Sequence, residues 1–214
     1  MRATRALAPR PAASIVAAAV AGGVPAYVDA EQVRLILDAI PTTRYRLMLR
    51  ALWQSGGRAS ELLGLRPCDV DRAEGALLLW NLKQRRPSRK RVYVSPELVA
   101  DLLAYARELR LRPEQFFFTG RNRTRAGRPI TRGHLHRIVT AASLRAGVVV
   151  LGDEGPRPAR PLDFRHGAAV HQIRSGVPLS EVGQQLGHAR ADSTLVYLRL
   201  ANPERRAMAD RVAW

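Results

Sequence analysis

Arg165, His166, His188 and Tyr197, whose side chains can hold anions or move protons, fall between Arg160 and Leu200. Arginine offers a planar fork of N–H donors for phosphate oxygens, histidine exchanges protons near neutral pH, and tyrosine carries an oxygen that can act as a nucleophile. A phenol with an ordinary pKa of ~10 attacks poorly at neutral pH unless positive charge or a base lies beside it. This stretch supplies both. On residue type alone, however, a tyrosine is more often a packed aromatic than a nucleophile, so any chemistry depends on its neighbours.

The elements that would position these residues can be read locally. The stretch predicts three successive helices, broken at Gly176 and Gly187. A glycine immediately before His188 is a helix-stop signal, which puts His188 on a turn and Tyr197 on the next helix. Upstream, Asp29 caps a helix to about Ile40, and a second helix, TRYRLMLRALWQSG, buries Leu47, Leu49, Leu52 and Trp53 and ends at Gly56 and Gly57. Ser60 then caps a short helix that places Arg58 at its start, with Glu61 able to hold the guanidinium.

Two strand-like runs, 76–80 and 91–94, flank NLKQRRPSRK and predict a β-hairpin with a long basic tip. That tip carries Lys83, Arg85, Arg86, Arg89 and Lys90, a set suited either to a solvated edge or to entry into a nucleic-acid groove. Ser95 and Pro96 begin a long helix. A buried strand or turn at Phe116 to Phe118 leads into an arginine-rich loop, with Arg121, Arg123 and Arg125 as further candidates for phosphate contacts. Thr131 caps a helix to about Gly147, Val148 to Pro161 reads as a loop, and Asn202 and Pro203 open a last helix through 203–214. The result is a mainly α chain with a small antiparallel β-sheet or hairpin.

Charge narrows the partner. The 214 residues carry 35 basic and 18 acidic side chains, a net charge of +17, with a pI near 11.5. A polyanion, double-stranded DNA foremost, is therefore favoured over a small neutral ligand. Only Lys83 and Lys90 are lysines. An arginine-biased coding sequence accounts for that ratio as well as phosphate recognition does, but it leaves the net charge unexplained. Cys68 is the single cysteine, which excludes a disulfide framework and a multi-thiolate zinc site and fits a reducing cytoplasm. Cys68, Asp69 and Asp71 read as turn residues rather than a metal site. Residues 1–26 read as a flexible basic leader, because their apolar run is too weak for a secretory signal. No stretch reaches the length of a membrane span.

With these residues in place, residues 27–214 resemble the catalytic domain of the tyrosine recombinase (phage integrase) family. The signposts occur in order: GGRASELLGL around Arg58, the hairpin lysine Lys83, LDFRH around Arg165, and LGHARADSTLVY ending at Tyr197. The resemblance implies the DNA breaking-rejoining fold of that catalytic core. It implies a site-specific recombinase that cleaves and rejoins DNA through a 3′-phosphotyrosyl intermediate, with neither metal nor ATP and no other cofactor. Arg58 and Arg165 would clamp the phosphate, Tyr197 attack it, Lys83 (or Lys90) protonate the departing 5′-oxygen and His188 bond a phosphate oxygen. Glu61 and His166 would support them. Partners would be duplex DNA and further copies of the chain, a dimer at each site and a tetramer at synapsis joined through 203–214. The location would be cytoplasmic, at the nucleoid.

Two departures qualify the resemblance. The family's usual histidine three residues before the second arginine is Leu162 here. Leucine can neither take a proton nor bond a phosphate, which leaves slow chemistry, His166 or water as a substitute base, or loss of activity; an active enzyme is the favoured expectation. Only the leader precedes residue 27, so the chain resembles the short, single-domain members or a truncated derivative. The alternatives to a recombinase are a type IB topoisomerase-like enzyme and a catalytically impaired DNA-binding regulator.

Overall fold

The structure is a computed structural model that describes residues 25–81, 88–120, 127–152, 154–187 and Tyr197. Nearly all of the expected leader, together with Lys83, Arg85, Arg86, Arg121, Arg123, Arg125, His188 and the helix expected over 203–214, lies outside these residues.

Helix α1 (Ala30–Asp38) starts where expected. Asp29 accepts from the Gln32 N–H and Gln32 returns a bond to the Asp29 N–H, a reciprocal cap that satisfies two donors of the first turn. Helix α2 (Thr43–Ser55) buries Leu47, Met48, Leu49, Ala51 and Leu52, and Gly56 ends it in the left-handed region at φ 56°. The short helix α3 (Ala59–Leu63) begins two residues earlier than its sequence implies. Arg58, not Ser60, occupies the cap position, because Glu61 three residues on accepts from the Arg58 N–H and does the capping from inside the helix.

A 3-10 turn at Pro67–Asp69 leads to a three-stranded antiparallel sheet of β1 (Val70–Asp71), β2 (Ala76–Asn81) and β3 (Ser88–Tyr93) in that order. The sheet corrects the expected hairpin. Its paired register runs from Ala76 with Tyr93 to Asn81 with Ser88, so Arg89 and Lys90 lie in the ladder rather than on a mobile tip. Helix α4 (Pro96–Glu108), capped by Ser95, and helix α5 (Arg132–Arg145), capped by Thr131, follow as read. The segment 148–161, expected as a loop, instead forms a second hairpin of β4 (Val149–Gly152) and β5 (Gly155–Pro158). Its prolines sit in a strand that pairs on one edge only, where a missing N–H costs little.

Helices α6 (Pro161–Arg174) and α7 (Leu179–Leu186) complete the described fold. The main core gathers Ile36, Met48, Leu52, Leu77, Leu79, Phe117, Phe118 and Phe164 between α1, α2, α4, α5 and the sheet. A smaller cluster of Ala169, Val170, Val182 and Leu186 from α6 and α7 encloses the ring of Tyr197.

Helix α6 lies against α2 and the chain entering α1 so closely that one position admits no side chain. A Cβ on Gly167 would overlap the Val28 carbonyl oxygen and meet the Trp53 ring at 2.8 Å. Val28 also donates its N–H to the Asp163 carbonyl, which locks that approach. Gly167→Ala is expected to destabilise the protein by roughly 1–3 kcal/mol through overpacking, a loss that denaturant titration will read as a lower midpoint with little change in slope.

Candidate active site

The site assembles where α3, β3, α6 and the end of α7 converge. Arg165 is 4% exposed on the inner face of α6. One of its terminal nitrogens donates to the Gly56 carbonyl at 2.7 Å and the other to the Leu186 carbonyl at 2.9 Å. The first is the carbonyl of the glycine that ends α2 and the second that of the last residue of α7, just before Gly187; helix-end carbonyls of this kind have no partner within their own helix. Arg165 therefore caps α2 and α7 while its guanidinium plane is held fixed, and a guanidinium has five N–H donors in all.

Burial, then the charge of Arg58, push Arg165 down to about 10, whereas Tyr197 and Glu61 act in the opposite sense. It stays cationic at neutral pH. Arg58 is more open, at the start of α3, and its guanidinium bonds Glu61 Oε1 at 2.8 Å. Glu61, 2% exposed, also bonds Lys90 Nζ at 2.9 Å. Burial alone would raise the Glu61 carboxyl, but Lys90 first and Arg58 second more than offset that, and the group lies below its ordinary value.

Tyr197 is 2% exposed, with its hydroxyl 2.8 Å from His166 Nδ1. Burial raises the phenol above its ordinary range, and the cationic Arg165 and Arg58 only partly counter it. The neighbouring imidazole moves the other way. Burial, opposed by Asp163 and reinforced by Arg165, lowers His166 to about 4. At neutral pH the pair is thus a protonated phenol against a neutral imidazole, whose Nδ1 can accept the phenolic proton when its own proton sits on Nε2. Arg165, Arg58 and Tyr197 share one electrostatic neighbourhood, the condition that chemistry at Tyr197 requires.

Of the residues expected at the site, Arg58, Glu61, Arg165, His166 and Tyr197 come together here. Lys90, expected on a DNA-facing tip, is drawn into this cluster. Arg89 remains on the open side of β3, paired with Asp69 at 2.8 Å and stacked over Trp80. Leu162, three residues before Arg165, is 57% exposed.

Asp163 was not anticipated. Its buried carboxylate accepts two bonds from Arg157, at 2.7 and 2.9 Å, and one from the Arg160 N–H. It thereby fixes the start of α6 two residues before Arg165. Pro161 at the first turn with an acid two residues later was a readable helix-start pattern, but Arg157 lies in the hairpin that the sequence presented as a loop. Asp69 is likewise more than a turn residue, being 1% exposed and ion-paired. Among the described residues no three His, Cys, Asp or Glu side chains gather as metal ligands, and no helix is long and apolar enough to cross a membrane.

Comparison with known proteins bears on the fold and the family. The chain is 27% identical over 179 residues to the putative integrase/recombinase y4qK of Sinorhizobium fredii, covering 83% of this chain and 53% of that one. It is also 27% identical over 179 residues to the tyrosine recombinase XerA of Thermococcus kodakarensis, covering 83% and 59%. The chain thus spans somewhat more than half the length of these relatives. Among solved structures, a XerA recombinase superposes with a TM-score of 0.71 at 22% identity, covering 90% of this chain and 67% of that one. A XerH site-specific recombinase, in a post-cleavage complex with its palindromic difH substrate, superposes at 0.69 with 19% identity, covering 90% and 54%. These superpositions show the same mainly helical fold with small antiparallel sheets. Residues 26–204 match the Phage integrase family, and the chain belongs to it.

Proposed function

We propose that this chain carries the catalytic part of a site-specific DNA recombinase. The observation that bears most weight is the 2.8 Å contact between Tyr197 Oη and His166 Nδ1 inside the field of Arg165 and Arg58. Family membership and a net charge of +17 support the same reading.

In this mechanism Tyr197 Oη attacks a backbone phosphorus in line, and His166 takes the phenolic proton. The Oη–P bond forms as the bond from phosphorus to the 5′-oxygen breaks, leaving a 3′-phosphotyrosyl link and a 5′-hydroxyl. Lys83 supplies the proton to the departing oxygen, and Arg58 and Arg165 neutralise charge that builds on the non-bridging oxygens, each such donor contributing about a hundred- to a thousand-fold. His188 adds a bond to one of those oxygens. Because the phosphodiester energy is kept in the tyrosyl link, attack by the 5′-hydroxyl of another strand reverses the step without metal or ATP. Arg85, Arg86, Arg89, Arg121, Arg123 and Arg125 would hold flanking phosphates. Assembly would be a dimer per site and a tetramer at synapsis, with 203–214 as the link between copies.

His166 thus takes the part that the family's usual histidine would play at position 162. The favoured outcome for the leucine there is an active enzyme with a relocated base.

The direct test is adduct formation. Capturing covalent protein–DNA links on a genomic fragment library maps the cleavage sequence, which is then built into a nicked suicide duplex. The wild-type chain is expected to form a covalent adduct and Tyr197→Phe none. DNA binding without an adduct would instead mark a regulator, and relaxation of supercoiled plasmid without recombinant product a topoisomerase.

The base assignment has its own test. His166→Gln is expected to slow adduct formation by roughly a hundred-fold or more at unchanged DNA affinity. In the free protein, NMR titration should place the His166 midpoint near pH 4. Because the folded value lies below the ordinary ~6.5, the unfolded chain takes up the proton first. Stability from this group is therefore complete above about pH 6.5 and declines as pH falls towards 4, which His166→Gln should abolish in a plot of unfolding midpoint against pH.

A further inference from the structure

The three consecutive basic residues Arg89, Lys90 and Arg91 do not share a role. Strand geometry sends alternate side chains to opposite faces, so Arg89 and Arg91 face outward and pair with Asp69, Asp71 and Glu74. Lys90 turns inward, with only 9% of its side chain exposed. Its ammonium has three donors and three acceptors: Glu61 Oε2 at 2.9 Å, the Gln185 carbonyl at 3.1 Å and the Leu186 carbonyl at 3.2 Å.

These acceptors belong to two elements far apart in the chain, the start of α3 and the last turn of α7. Carbonyls at a helix C-terminus have no partner within the helix and favour a cation. The Leu186 carbonyl also accepts from Arg165, so one connected path runs Arg58, Glu61, Lys90, Leu186, Arg165. Burial and the nearby Arg165 and Arg58 weaken the charged form of Lys90, and Glu61 is the group that sustains it.

We propose that Lys90 is a positioning residue: a buried ammonium that ties the Arg58 helix to the exit of α7, and so sets the spacing between the first arginine and the segment leading to His188 and Tyr197. It acts through Glu61 and two main-chain oxygens and touches neither the phosphate nor the leaving oxygen. The inference rests on the recombinase reading above for its effect on rate, but on the contacts of β3 for its placement.

Lys90→Met keeps the aliphatic stem and removes the charge. On the suicide duplex at saturating DNA it is expected to slow single-turnover adduct formation about tenfold to a hundredfold, as displaced reacting groups do. The salt dependence of binding to a non-specific duplex should stay as in the wild type. A fall of about one in that slope would make Lys90 a phosphate contact, and an unchanged cleavage rate would remove its positioning role; either overturns the proposal.

Glu61→Gln and the double variant complete the cycle, with the double expected to be no slower than the slower single. Losses that multiply would overturn the clasp. If Lys90→Met alone does not fold, the double variant, which leaves neither charge unpaired, is compared with Glu61→Gln. Equal rates support the clasp, and a tenfold slower double variant overturns it. A wild-type chain that makes no Tyr197-dependent adduct refutes the recombinase reading instead. The salt slope and the same cycle read by thermal unfolding then decide Lys90 separately, coupled losses supporting the clasp and additive ones overturning it.

Discussion

The Glu61 carboxylate is what allows this site to exist. Gathering Arg58, Lys90 and Arg165 in a region of low solvent access is opposed both by desolvation and by repulsion among like charges. One buried anion that bonds two of the three cations turns that repulsion into a connected network. Removing one partner from such a network is typically severe, about 3–5 kcal/mol, because a charge is then left buried alone. The network leaves an excess of positive charge, which is the electrostatic state that a phosphodiester would neutralise.

Backbone carbonyls do the rest of the positioning. Helices α2 and α7 both end at glycines in the left-handed region, and the carbonyls of Gly56 and of Leu186, the residue before Gly187, accept from Arg165. A helix end normally leaves its last carbonyls to water. Here two ends give them to one guanidinium, so the geometry of Arg165 is set by main chain, which moves less than side chains do. On the other side of α6, the Asp163 bonds to Arg157 and the Gly167 contact with Val28 hold the same helix against the body of the protein.

Substitution at position 162 becomes intelligible in this frame. Arg165 and His166 are consecutive in α6, and that single step turns the imidazole towards the small apolar cluster of α6 and α7, where Tyr197 is buried. Leu162 lies on the outer, exposed face of the first turn. The proposed base therefore comes from the neighbour of the second arginine, an imidazole within hydrogen-bond distance of the phenol that burial keeps neutral.

Much of this was legible in the sequence because it depends on short-range patterns. Asp29, Ser95 and Thr131 as helix starts, Gly56 and Gly187 as stops, and the apolar faces of α2 and α4 follow from backbone chemistry within a few residues. The motifs around Arg58, Arg165 and Tyr197 pointed to phosphate chemistry through the family resemblance that their order carries. Tertiary structure alone decided which charges face inward. Lys90 read as part of a basic tip and as the alternative to Lys83 as proton donor, since no local pattern says which way its side chain faces; only the β2–β3 register, and a carboxylate supplied from α3, turned it into the core. Asp163 and Arg157 found each other because a glycine- and proline-rich segment closed into a hairpin. Tyr197 met His166 across the packing of α6 and α7, a contact between residues 31 positions apart that no local pattern encodes.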